Sequence, residues 1–145
     1  MNYPWGVSWT ILTKLWRLTR ELREETLPTL EALGLAPTDP WLLAELERHP
    51  YPSLLAHSTQ IPPPTISHML KRMEGLGLVQ RRLEPQDLRR YRFELTEKGR
   101  SALEESRRAM QKALERRLSR LGEEEKALLE GMLDRLLNIE AEENP

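Results

Sequence analysis

The side chains best suited to chemistry in this chain lie between Pro64 and Gly99. Thr65, Ser67, His68, Lys71 and Arg72 bring hydroxyl, imidazole and cationic groups together in one short run. Such a set can bond to base edges and to phosphate oxygens. Residues 80–92 then hold five arginines, at 81, 82, 89, 90 and 92, against only Glu84 and Asp87. Arginine is drawn to phosphate and to narrow minor grooves. Catalytic chemistry finds no comparable support. His49, His57 and His68 do not share a helix face with carboxylates at metal-ligand spacing. No Gly-rich phosphate loop, nucleophile elbow or H-E-x-x-H is present. With no cysteine, thiolate catalysis, disulfides and Cys-based metal sites are excluded. The expectation is therefore a binding protein, with no catalytic residue, no metal and no cofactor.

Two elements must position these groups. Ile66, Met69, Leu70, Met73 and Leu76 form the i, i+3, i+4, i+7 stripe of a helix packed on a core, which predicts a helix over about 64–76. Pro64 is expected as its first residue, with Pro63 as a cap that lacks a side-chain oxygen. Gly75 and Gly77 point to a left-handed stop. Strand-like runs at 78–83 and 91–95 flank the turn signal Glu84-Pro85-Gln86-Asp87, which predicts a hairpin over about 78–95. A polar-faced helix beside a basic two-stranded flap suits a major groove and its flanking phosphates.

The stretch GLGLVQRRLEPQDLRRYRFELTEKG resembles the wing of the MarR (multiple antibiotic resistance regulator) family of winged helix-turn-helix repressors. Its marks are Gly77-Leu78-Val79-Gln80-Arg81, the D-x-R of Asp87-Leu88-Arg89, and Leu95-Thr96-Glu97-Lys98-Gly99. The upstream PPPTISHMLKRMEGLGLV resembles the family's recognition helix, usually introduced as S-x-P-T. The specific part of the resemblance is about residues 54–99. It implies a mainly α fold with a small β wing: a winged helix-turn-helix domain over 37–96, flanked by dimerisation helices at 1–36 and 97–145. It also implies a homodimer on double-stranded DNA, repressing from a pseudo-palindromic operator. DNA contacts carry over onto Pro64, Thr65, Ser67, His68, Lys71, Arg72, Arg89 and Arg90. Thr65, Ser67 and His68 would reach bases, and Lys71 and Arg72 phosphate. On the wing, the D-x-R spacing allows Asp87 to hold the Arg89 guanidinium while Arg89 also meets the backbone and Arg90 reaches DNA, but the sequence leaves open which of Arg89 and Arg90 is the contact and which the brace. A small aromatic effector is a further implied partner, with Trp5, Trp9 and Trp16 as candidate lining. Two departures stand out. Pro62 replaces the usual capping Ser or Thr, and Leu88 replaces a frequent polar or basic wing residue.

The flanks read as long helices. Leu12, Leu15, Trp16, Leu22, Leu30 and Leu33 follow helical spacing, with an interruption expected at Pro28. Asp39 is expected to cap a helix whose first residue is Pro40, a shorter helix follows at 53–58, and residues 50–53 are a candidate strand beside the wing. Leu103, Met110, Leu114, Leu118 and Leu121 make another stripe, broken at Gly122 before a last helix. This is more apolar surface than a small winged domain can bury alone, which argues for a second copy of the chain. Net charge is −1, but unevenly placed: residues 1–61 carry −2, residues 62–100 carry +4 and residues 101–145 carry −3. Local sign governs attraction to a polyanion. No apolar run is long enough to span a bilayer and Met1–Leu12 lacks signal-peptide features, so a cytoplasmic protein and no membrane partner are expected. The rival reading is a winged-helix protein–protein module that does not bind DNA.

Overall fold

The computed structural model describes residues 5–139. The elements run α1 (Gly6–Ala32), α2 (Asp39–Arg48), α3 (Pro52–Thr59), α4 (Pro63–Gly75), β1 (Val79–Glu84), β2 (Asp87–Leu95), α5 (Glu97–Leu118) and α6 (Glu123–Leu137). The chain divides into two compact units, Met1–Met110 and Gln111–Pro145, and α5 passes from the first into the second.

The first unit contains the core. Leu42, Leu43 and Leu46 of α2, Leu55 of α3 and Ile66, Met69, Leu70 and Met73 of α4 are buried with Val79, Phe93 and Leu95 of the hairpin. Leu30 and Leu35 before this domain, and Ala102 and Leu103 after it, join the same cluster. The hydrophobic core therefore reaches beyond residues 37–96 on both sides. Helix α1 runs without a break through Pro28. That proline gives up one backbone bond, but Thr26 and Leu30 on either side of it are buried and hold the last turns in place. Gly34, at φ +74°, then closes the helix, with the Leu35 N–H donating to the Leu30 carbonyl at 2.8 Å and the Gly34 N–H to that of Glu31 at 3.0 Å.

Helix α4 ends in the same way. Gly77 has φ +74°, and the Leu78 N–H donates to the Met73 carbonyl at 3.0 Å. Its start is one residue earlier than the sequence suggested, at Pro63, with Pro62 at the cap position. Of the expected apolar stripe, only Leu76 stays partly exposed, resting near Gly34 where the helix stops.

The L-T-x-x-G motif has a structural cause. The Thr96 hydroxyl donates to the Gly77 carbonyl at 2.6 Å, and the Thr96 N–H to that of Leu78 at 3.0 Å. The same hydroxyl oxygen accepts the Gly99 N–H at 3.0 Å, which caps α5. Lys98 Nζ reaches the Leu76 carbonyl at 2.8 Å. The end of α4 is thus tied to the start of α5. The chains cross so closely that a Cβ on Gly99 would lie 1.9 Å from the Leu78 carbonyl oxygen.

The hairpin is antiparallel, in register from Val79↔Leu95 to Leu83↔Tyr91. Next to it the expected strand at 50–53 reduces to one backbone bond, from the Phe93 N–H to the Pro50 carbonyl at 2.8 Å. Pro52 cannot donate a second bond and opens α3 instead. In the second unit, Gly122 starts α6, its N–H bonded to Glu125 Oε1 at 3.0 Å, and Asn138 ends it at φ +54°. Among the described residues, no helix is long and apolar enough to cross a membrane.

Gly99→Ala should cost about 3 kcal/mol, since the atom met is backbone and cannot rotate away. Thermal unfolding should show this as a fall in Tm of roughly 10 °C. An unchanged Tm would mean that the crossing is looser than described.

Candidate nucleic-acid interface

The burial of Ile66, Met69, Leu70 and Met73 fixes the roll of α4. Its other face is therefore turned outward, and Pro64, Thr65, Ser67, His68 and Lys71 are all exposed there.

Arg72 departs from the expected set. Its Nη2 lies 2.6 and 2.5 Å from the two carboxylate oxygens of Asp39, a side chain with no exposed surface. Asp39 Oδ2 also accepts the Ala36 N–H at 2.6 Å. Asp39 therefore opens α2 as its first residue, and its carboxylate serves the α1–α2 corner and α4 rather than capping its own helix. Arg72 supplies the cation that a buried carboxylate requires. Its guanidinium is therefore engaged within the fold, not turned outward like the Lys71 side chain.

The wing sorts its five arginines by partner. Arg82 and Arg92 share Glu94, at 2.6 and 3.2 Å, and Arg81 lies 3.5 Å from Glu74. Arg81 also sits over the Tyr91 and Phe93 rings, 5.1 and 5.5 Å from their centroids. Among the described residues, Arg89 and Arg90 have no carboxylate partner, so their charge is not neutralised locally. The backbone explains their placement. Glu84 pairs with Asp87 around a two-residue turn, while Leu83 pairs with Tyr91. Leu88, Arg89 and Arg90 are left as an irregularity in β2 with no partner opposite. Such bulges re-aim side chains, so simple strand alternation does not set which way Arg89 and Arg90 point. Asp87 does not grip the Arg89 guanidinium as the sequence suggested. Its Oδ1 accepts the Arg89 backbone N–H at 3.0 Å, the closure of an Asx turn.

Tyr51, which sequence reasoning passed over, organises the wing. Its hydroxyl donates to Glu84 Oε2 at 2.7 Å. Its ring carries the Arg90 guanidinium, with Cζ 4.4 Å from the centroid. The phenol pKa is raised, chiefly because ionisation would break the bond to Glu84, so the hydroxyl remains a donor at neutral pH. Tyr51, Ser67, Arg81 and Arg90 line a groove of about 400 Å³ with α4 on one side and the wing on the other. The only signal in the sequence was an aromatic residue held between Pro50 and Pro52.

The sequence model of the MarR family matches residues 33–90. A 73-residue stretch is 33% identical to YdgJ of Bacillus subtilis strain 168, named as an uncharacterized HTH-type transcriptional regulator. That match takes in 50% of this chain and 44% of the relative, so it spans under half of the relative's length. The X-ray structure of YusO from Bacillus subtilis is similar over 96% of this chain and 100% of its own, with a TM-score of 0.70 and 25% identity. The transcriptional repressor CouR, solved on a 23-mer DNA duplex, is similar over 86% of this chain and 89% of its own, with a TM-score of 0.73 and 27% identity.

Two neighbouring cations on α4 should behave differently. Arg72→Ala leaves Asp39 buried without its cation and should lower stability by about 3 kcal/mol in urea unfolding. Lys71→Ala removes an exposed charge and should stay within about 0.5 kcal/mol. Equal effects from the two would contradict the assignment of Arg72 to the fold.

Proposed function

We propose that this chain, whose residues 33–90 match the MarR family model, is a transcriptional regulator of that family that binds double-stranded DNA. Helix α4 enters the major groove, and the wing lies along the adjacent backbone or minor groove. One observation carries this reading: the exposed polar face of α4 and the two wing arginines without carboxylate partners belong to one winged unit whose charge is locally positive. Thr65, Ser67 and His68, near the start of α4, take the base edges, and Lys71 takes phosphate. Arg89 and Arg90 are the wing's contribution.

We propose a homodimer as the active species. Val7, Trp9, Ile11, Leu12, Leu15 and Trp16 are exposed on α1, as are Leu128, Met132, Leu136 and Leu137 on α6. Burying this much apolar surface in a second copy is the plain remedy. Trp5, Trp9 and Leu12 line an open apolar cleft, which we assign to that dimer face rather than to an effector. A two-fold dimer places two α4 helices about one DNA turn apart, which fits a pseudo-palindromic operator. CouR is a repressor, and we extend that sense of regulation to this chain.

The double change Arg89→Ala, Arg90→Ala should leave folding nearly intact, because both side chains are exposed. It should weaken binding to every duplex and flatten the slope of log affinity against log salt by roughly 2–4 for two wings. His68→Ala should instead change which duplexes are preferred, by about 1–3 kcal/mol per affected base pair. If the double variant binds as the parent does at several salt concentrations, the wing is not a DNA contact and the protein-module reading gains. Sedimentation at micromolar concentration should give a dimer, and a monomer there would remove the two-half-site mechanism.

A further inference from the structure

Helix α4 opens on three consecutive prolines, Pro62, Pro63 and Pro64. A helix start ordinarily leaves four backbone N–H groups without intrahelical partners. Those hydrogens carry the positive end of the helix dipole and give helix starts their hold on phosphate. Here three of the four do not exist, because Pro62 at the cap and Pro63 and Pro64 in the first turn have none. The fourth, on Thr65, donates to the Pro62 carbonyl at 2.9 Å, and the next, on Ile66, donates to the same carbonyl at 3.1 Å. No amide at the start of α4 is left to face a ligand.

The exposed groups at this end are apolar rings. Pro63 and Pro64 are both exposed. Pro64 precedes His68 by four residues and Lys71 by seven, so the three share one stripe of the helix. Whatever major groove receives His68 and Lys71 also receives the Pro64 ring. On the major-groove edge of the base pairs, the distinctive apolar group is the C5-methyl of thymine.

We infer that Pro63 and Pro64 are specificity-determining residues, and that the start of α4 selects thymine through its methyl group in place of clamping a phosphate. This rests on the DNA-reading role proposed above.

The test uses duplexes enriched from a random library by the full-length protein. Each thymine is replaced in turn by uracil, which keeps every hydrogen-bonding group and loses only the methyl. The expected result is a loss of roughly three- to five-fold at one or two positions in each half-site, the size of one buried methyl group. Pro63→Ser with Pro64→Ser puts small polar groups in place of both rings at positions where a helix start tolerates them. It should erase that sensitivity while the wing's salt dependence is unchanged. Uracil duplexes that bind like their thymine parents at every position overturn the inference alone. So does a double variant that folds and keeps full uracil sensitivity. Failure to enrich any duplex overturns the DNA-reading role, and this inference with it.

Discussion

A carboxylate taken fully out of water must meet a cation or a set of donors, because the uncompensated ion costs several kcal/mol. Asp39 is such a group, with 0% of its surface exposed, and it is met by Arg72 and by the Ala36 N–H. The three partners come from the start of α2, the last turn of α4 and the corner after α1. This one pairing, with the buried stripe of α4, therefore fixes where α4 lies on the body. It also decides which of the polar residues of α4 is unavailable to a partner. With Arg72 committed inward, the outward stripe is Pro64, His68 and Lys71, flanked by Thr65 and Ser67.

The other end of α4 is held by backbone rather than charge. Left-handed Gly77 turns the chain into β1, and Thr96 and Lys98 bond to the carbonyls that the helix leaves behind. Gly99 is there because nothing larger fits against the Leu78 carbonyl. The wing hangs from this crossing and is steadied at its far end by Tyr51, through Glu84 on one side and Arg90 on the other. A cation–π contact and one charge-assisted hydrogen bond at an exposed site are modest terms. They are enough to orient a short hairpin that packs on the core at its base.

Charge follows the same division between body and partner. Three wing arginines are spent on Glu94 and Glu74, and a fourth cation, Arg72, on Asp39. These four cations meet three carboxylates, so counting cations in the sequence overstates the positive field of residues 62–100, which hold nine basic groups, by about a third. Lys71, Arg89 and Arg90 on α4 and the wing keep no carboxylate partner among the described residues, nor do Lys98 and Arg100 at the start of α5, which bond to backbone carbonyls. A nearly neutral chain can attract a polyanion when its unneutralised charge is gathered in this way.

Much of this was legible in the sequence. Helical periodicity gave α4 its buried face, and Gly77, Gly122 and the Glu84–Asp87 turn gave element ends, because each depends on neighbours a few residues away. The wing and its L-T-x-x-G boundary could be read for the same reason. The roles of individual polar side chains could not. Asp39 and Arg72 are 33 residues apart, as are Tyr51 and Glu84, and neither pairing leaves a local pattern. The irregularity at Leu88–Arg90 likewise depends on cross-strand register, which overrode the alternation inferred from the D-x-R spacing. The sequence by itself determined which face of α4 turns inward, since burying its apolar stripe is a local, periodic constraint. Only the tertiary structure decided which cations and carboxylates neutralise each other and which remain for a partner, because desolvation and ion pairing act between groups that only the fold brings together.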